Sequence, residues 1–342
     1  MSRHSGKKYD GLRPGRAALC CAAFFLLAPL VYPATAFELQ GHRGARGLAP
    51  ENTLPGFARA LDIGVTTLEM DLQMTRDGVV VVAHDAHLNP ELTRTQDGVW
   101  LTGPSRPIYG LSFQELQRFD VGRLRPDGET RRRFSWQEGA DGVRIPPLRA
   151  VFKLVRRAGN RTVEFNLEIK SSPERLFTPS PEAFTDAVVR EIRRAGMVTR
   201  ARIQSFDWRV LRRVQAIAPE IGTIYLTAQQ NWMDTVRTGQ PGPSPWTAGI
   251  DVDDFASVPE AIKSARGGIW SPHHEDIRQQ DIDTAHRLGM RVIVWTVNSM
   301  LRMRKLIDMG VDGIITDYPN RLRWVMWAHG LALPVSTPVD VE

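Results

Sequence analysis

The sequence predicts an α/β fold, a (β/α)8 TIM barrel with a small insertion subdomain after its second barrel strand, and three observations lead there. Between Gln40 and Asn320, short β-branched runs alternate with amphipathic stretches, the pattern of repeated βα units around a parallel sheet. Gly64, Gly159, Gly196, Gly289 and Gly310 each fall just past a helical pattern, where a left-handed cap favours glycine. Once the first 36 residues are set aside, about 306 remain, a length that α/β barrels commonly fill as one domain.

In order, the predicted strands are Glu38–Arg43, Thr66–Gln73, Thr162–Lys170, Ala201–Phe206, Ile221–Leu226, Gly268–Trp270, Arg291–Val297 and Gly313–Thr316. Helical patterns fit between them, among them Thr53–Ile63, Pro147–Ala158 and Asp207–Ile217. One segment breaks the rhythm. After Val79–His84, residues 85–145 are rich in Gly, Pro and Arg without sustained periodicity, and they read as an insertion beside the barrel mouth. Its arginines, Arg123, Arg125 and Arg131 to Arg133, suit either an anionic substrate or membrane surface, or a solvated loop. Residues 231–246, with Pro241, Pro243 and Pro245, read as a loop, and the chain after Gly330 as a loosely held end. The expected organisation is residues 1–36 as a leader, 37–333 as the barrel and 334–342 as a C-terminal tail.

The leader rests on a basic stretch (Arg3, Lys7, Lys8, Arg13, Arg16), the apolar run Ala17 to Tyr32, and Ala34-Thr35-Ala36. That is the layout of a secretory signal peptide cleaved after Ala36; an uncleaved anchor competes, but the run is short for a span. Export to the periplasm, or full secretion, follows. The leader carries five basic residues and one acid, so the formal +6 of the chain falls to about +2 after cleavage, and the basic balance argues little for nucleic acid. Both cysteines, Cys20 and Cys21, leave with it. No later segment is apolar for long enough to cross a bilayer.

The strongest local signal is HRGARGLAPENT, His42 to Thr53, which places His, Arg and a Gly-rich turn where the first strand meets the first helix, on the face where barrel active sites form. In TLEMDLQ, alternation puts Thr67, Glu69, Asp71 and Gln73 on one face. The third strand repeats this with Glu164, Asn166, Glu168 and Lys170. Three acids turned into one mouth suit a Mg²⁺ or Ca²⁺ ion, with Lys170 one pleat further out to meet a phosphate; ordinary pairing of Glu168 with Lys170 is the bland alternative. His84 ends another apolar run, and it could share proton transfer with His42. His87 lies past the strand end as a loop residue, and His273 and His274, adjacent residues that point apart, stay unassigned.

His42-Arg43-Gly44, Pro50-Glu51-Asn52-Thr53, Glu69-x-Asp71, His84-Asp85, Glu168-x-Lys170 and Trp295-Thr296-Val297-Asn298 together resemble the successive motifs of the glycerophosphodiester phosphodiesterase family. The resemblance runs in order from Leu39 to Asn320. It implies that Glu69, Asp71 and Glu168 bind the metal and that His42 and His84 are the general acid/base pair. It further implies that Arg43 and Lys170 neutralise the phosphate, that Glu51 orients Arg43, and that Trp295 lines the substrate wall. The expected reaction is hydrolysis of a small glycerophosphodiester to glycerol 3-phosphate and an alcohol. Attack by water or by the glycerol 2-hydroxyl, and which histidine is base, stay open. Two other readings compete. Phospholipase D-like action on lysophospholipids or sphingolipids would need an apolar lip, for which Trp100, Phe113, Phe134 and Trp136 are candidates. A periplasmic protein that captures phosphodiesters without turnover would not need the two histidines.

Overall fold

The computed structural model describes residues 1–6, 11, 37–103, 105–174 and 177–341. The apolar leader run, the cleavage point after Ala36 and both cysteines lie outside the described residues, and no helix among the described residues is long and apolar enough to cross a membrane.

Eight parallel strands close on themselves: β1 (Glu38–Gly41), β2 (Thr67–Met74), β3 (Glu164–Ile169), β4 (Ala201–Ser205), β5 (Gly222–Thr227), β6 (Ile269–Pro272), β7 (Arg291–Val294) and β8 (Gly313–Thr316). Each pairs with its neighbours in sequence order, and β1 pairs with both β8 and β2, so the sheet has no free edge between them. Helices follow the strands: α1 (Leu54–Ile63), α2 (Leu148–Arg157), α3 (Pro181–Arg194), α4 (Trp208–Ile217), α5 (Val258–Ser264), α6 (Gln279–Arg287), α7 (Met300–Asp308) and α8 (Pro319–Ala328). Their starts are written locally. Thr53 caps α1 by accepting from the Gly56 N–H at 3.2 Å, and Ser180 and Asp207 cap α3 and α4 in the same way. All five glycines expected at helix ends have left-handed backbones.

Alternation along the strands sorts the side chains. Leu68, Met70 and Leu72 of β2 and Phe165, Leu167 and Ile169 of β3 are buried against the helices, each burial being worth about 1.5–3 kcal/mol. The partners on the other face are polar. Asn166 Nδ2 donates to Gln40 Oε1 at 2.9 Å and to Gln204 Oε1 at 2.8 Å, and Gln204 Nε2 donates to Glu69 Oε1 at 2.8 Å, so β1 to β4 share one hydrogen-bonded interior. Glu69, Asp71 and Glu168 are therefore held among polar neighbours rather than in an apolar core.

Val80–Val82 turns back antiparallel on β2, with Leu72 opposite Val82, and opens the insertion. Residues 85–145 are more ordered than their aperiodic sequence suggests. Val81, Leu88, Ile108, Leu111, Leu116 and Ile145 form a small core of their own. The predicted loop 231–246 also begins in a hairpin, Gln229–Gln230 with Met233–Asp234. The tail corrects an expectation: it is tied down, not loose. Thr337 N–H donates to Leu61 O at 2.9 Å, and Asn160 Nδ2 donates to Thr337 Oγ1 at 3.0 Å. Backbone carbonyls around the end of α1, those of Leu61 and Asp62, accept from the tail.

Candidate active site

The ends of β1, β2, β3 and β7, with the short strand Val80–Val82, bring the predicted residues into one cleft of about 780 Å³, lined by His42, Arg43, Glu69, His84, Glu168, Lys170 and Trp295. Asp71 and Glu51 are outside its lining and join it through their contacts with Arg43. A left-handed backbone at Arg43 (φ 51°) tucks the turn after β1 against β2, where the Arg43 N–H donates to Glu69 Oε2 at 2.8 Å. Gly44 must be glycine there: a Cβ would stand 2.6 Å from the backbone carbon of Gly56.

Glu69, Asp71 and Glu168 form the floor. They are 1%, 1% and 7% exposed, and one oxygen from each lies within 4.8 Å of the others. Register explains the meeting, since Asp71 stands opposite Glu168 on adjacent strands. Burial, then Asp71 and Glu168, push the Glu69 carboxyl well above the usual carboxylate range. Burial also carries Glu168 up to about 7, although Lys170 opposes it. Asp71 goes the other way, because Arg43 first, with Lys170 among the rest, outweighs the cost of its burial. Three buried carboxylates that resist ionising together are an all-oxygen set that could hold a hard divalent cation.

Two cations border the floor. Arg43 Nε lies 2.9 Å from Asp71 Oδ2, an ion pair without hydrogen-bond alignment, while its Nη1 donates to Glu51 Oε1 at 2.7 Å. Lys170 Nζ donates to Glu168 Oε1 at 2.8 Å and lies 3.6 Å from Asp71 Oδ1. The bland expectation for Glu168 and Lys170 is thus also true of the structure, but the pairing sits inside a cluster with further acids.

Both histidines are fixed through Nδ1. Asp317 Oδ1 is 2.6 Å from His42 Nδ1, and Asn298 Nδ2 donates to Asp317 Oδ2 at 2.7 Å. Asp85 Oδ1 is 2.8 Å from His84 Nδ1, with Asn89 donating to its other oxygen at 2.8 Å. Each ring therefore keeps Nε2 for other partners, and that of His42 lies 4.0 Å from Glu69 Oε2. Burial first, then Arg43 and Lys170, lowers His84 to about 4. His42 is lowered by burial, against the pull of Asp317.

An aromatic wall faces these groups. Trp295 donates from Nε1 to Ser271 O at 2.9 Å and packs edge-on with Phe206 (5.3 Å), His273 (5.2 Å) and Trp232 (6.3 Å). His273 and His274 stack on each other behind it at 4.7 Å, and His87 packs on Phe177. The insertion aromatics do not join this wall. Phe134 is buried beneath Arg46, Trp100 lies against Arg94 and Arg125, Phe113 against Arg149, and Trp136 is exposed outside the cleft lining.

Sequence reading missed Asp317, Asn298 and Asp85 as partners of the histidines, and Phe206, Trp232 and Trp246 as cleft residues. Asp317 carried a signal, an acid directly after the last strand on the same barrel face as His42. Trp232 carried none, since its place depends on the hairpin.

The model of the glycerophosphoryl diester phosphodiesterase family matches residues 42–321. A glycerophosphodiester phosphodiesterase of Caldanaerobacter subterraneus is 27% identical over 283 residues, covering 82% of this chain and 94% of its own. The human lysophospholipase D is 26% identical over 286 residues, covering 82% and 83%. A solved structure from Silicibacter pomeroyi, provisionally named a glycerophosphoryl diester phosphodiesterase, is 36% identical, with a TM-score of 0.78 over 88% of this chain and 96% of that one.

Proposed function

The chain belongs to the glycerophosphoryl diester phosphodiesterase family, and from that premise we propose that it cleaves glycerophosphodiesters to glycerol 3-phosphate and an alcohol with one divalent cation, Mg²⁺ or Ca²⁺, held by Glu69, Asp71 and Glu168. It is an enzyme, a phosphoric diester hydrolase, so the capture-only reading falls away. The observation that carries the proposal is the acid floor, with an oxygen of each acid within 4.8 Å of the others and the Glu69 and Glu168 carboxyls pushed upward by burial first and by neighbouring acids next.

Bound there, such a cation supplies Lewis-acid stabilisation of charge on phosphoryl oxygens. The rest falls to side chains. Arg43 and Lys170 offset the negative charge that develops at phosphorus, with Glu51 steering Arg43 through its Nη1 contact. His42 takes the proton from the attacking hydroxyl, because Asp317 stabilises the imidazolium that results. His84, set by Asp85, gives a proton to the departing alkoxide. Trp295 and the rings around it exclude water from one side of the cleft.

Release of glycerol 3-phosphate from glycerophosphocholine, measured with Mg²⁺, Ca²⁺ or chelator, tests the proposal. Cation-dependent release that a Glu69→Ala/Asp71→Ala protein lacks is expected; equal release in chelator would sink the metal assignment. Lysophospholipid cleavage is a second reading, favoured by the exposed Trp232 and Phe177 in the cleft lining. Release of choline from lysophosphatidylcholine decides it. Residues 1–36 are proposed to direct export and to leave after Ala36, ahead of the barrel at 37–333 and the tail; mature protein beginning at Phe37 in the periplasm or medium is the expected finding, and retention of Met1 the contrary one.

A further inference from the structure

The insertion's arginines divide unequally. Arg123 is paired with Asp141 at 2.6 Å, and Arg125 lies 3.7 Å from Asp127. Arg131 and Arg132 donate to the carbonyls of Gln137 and Asp127 at 2.9 and 2.8 Å. Arg133 alone of the five lines the cleft, and it makes no hydrogen bond or ion pair among the described residues. Its guanidinium carbon lies 5.4 Å from the centre of the Phe134 ring. Arg46, from the turn after β1, also lines the cleft and lies 4.6 Å from that same ring. The two guanidinium carbons are therefore at most about 10 Å apart, the sum of those distances. Phe134 itself is 1% exposed, so a buried ring fixes both arginines against one wall.

Arg46 connects that wall to the phosphate end of the cleft. Its Nε donates to Glu51 Oε2 at 2.5 Å, while Glu51 Oε1 accepts from Arg43 Nη1 at 2.7 Å. One carboxylate thus separates Arg46 from Arg43, and only Nε of Arg46 is spent. Arg43 and Lys170 already border the acid floor through Glu51, Asp71 and Glu168, whereas Arg133 has no paired anion among the described residues. A guanidinium fork held on a buried ring and facing a cleft matches the geometry of a phosphate group.

We infer that Arg46 and Arg133 form a second anion subsite, which selects glycerophosphodiesters whose alcohol carries another phosphate. The inference rests on the hydrolytic reading above. The insertion is then a specificity element: it brings Arg133 into the cleft lining beside Arg46, and the scissile phosphate keeps its own partners at Arg43 and Lys170.

The test compares glycerophosphoinositol 4-phosphate with glycerophosphoinositol, a pair differing by one phosphate, on the purified protein with its cation. A kcat/KM advantage of roughly tenfold or more for the phosphorylated substrate is expected, the worth of a charged hydrogen bond. Arg133→Ala should erase that advantage through KM and leave glycerophosphoinositol within about twofold, and Arg133→Lys should restore part of it. Equal rates on the two substrates in the unaltered protein, or equal losses on both in Arg133→Ala, would overturn the subsite while leaving the hydrolytic reading intact. If neither substrate is cleaved, that reading fails, and calorimetry decides the subsite alone. Tighter binding of inositol 1,4-bisphosphate than of inositol 1-phosphate, lost in Arg133→Ala, supports it; identical binding removes it.

Discussion

The barrel interior holds charged clusters at both ends, and they are built on opposite terms. At the N-terminal end, Glu38 accepts from Arg202 Nη1 and Nη2 at 2.7 and 2.8 Å and from Gln40 at 2.7 Å, and it is also paired with Arg291. Arg202 is shared with Glu164, so two acids meet two arginines. Burial would raise the Glu38 carboxyl, but Arg202 and then Arg291 outweigh it and hold it below the usual range. At the C-terminal end, Glu69, Asp71 and Glu168 share Arg43 and Lys170, Arg43 is also claimed by Glu51, and burial forces Glu69 and Glu168 upward. The same residue types in one barrel thus serve two ends. A balanced cluster is finished on folding, whereas an unbalanced one stays unfinished until a ligand brings charge.

Removing acids should break this comparison most plainly. Glu69→Ala/Asp71→Ala is expected to cost at least about 10³-fold in kcat, judged by what removal of catalytic charge stabilisation costs elsewhere. In chelator its melting temperature should not fall, because the change relieves repulsion; a large fall would show the floor to be structural. At the other end, Arg202→Met should leave Glu38 buried with less countercharge and lower stability by about 3–5 kcal/mol. Turnover by the folded fraction should stay within about twofold, and a matching loss of kcat would erase the distinction between the ends.

Asp317→Asn comes next. It keeps the shape beside His42 but removes the charge that favours its protonated form. A loss of about 10²-fold in kcat is expected. A carboxylate raises the pKa of its imidazole partner, so the acid limb of kcat/KM should move to lower pH. An unmoved limb would reduce Asp317 to a packing residue.

Much of this was legible beforehand because period-2 alternation dictates it. Glu69, Asp71 and Glu168 share the interior face for the same reason that Leu68, Met70 and Phe165 share the outer one. Helix ends were readable at Gly64 and Gly159, where the backbone turns left-handed. What stayed hidden depends on contacts between distant segments. Asp317 meets His42 across 275 positions, because closure sets β8 beside β1. Arg133 and Arg46 meet through Phe134, inside an insertion whose small core leaves no periodic trace. The tail misled because its anchors are backbone carbonyls and the side chain of Asn160, which no hydropathy pattern records.

The mildest effect, and the one that sharpens the comparison furthest, is the dependence of stability on pH with and without cation. Glu168 sits near 7 in the folded protein against an ordinary 4.5, and Glu69 is also raised. Between those values the metal-free folded state holds protons that the unfolded chain has released. Stability contributed by Glu168 is therefore full below about pH 4.5 and is lost as pH rises through about 7, and Glu69, raised as well, acts in the same direction. A bound cation requires the ionised carboxylates, so it should abolish that decline and add about 2.7 kcal/mol at 100 times its Kd. Glu38 has the opposite sign: depressed in the folded state, it stabilises above about 4.5 and ceases to do so as pH falls. Melting curves from pH 4 to 8 should then show metal-free protein losing stability toward pH 8, and cation-loaded protein losing it only toward pH 4. Parallel curves would mean that the two ends are balanced alike and that the acid floor does not hold a metal.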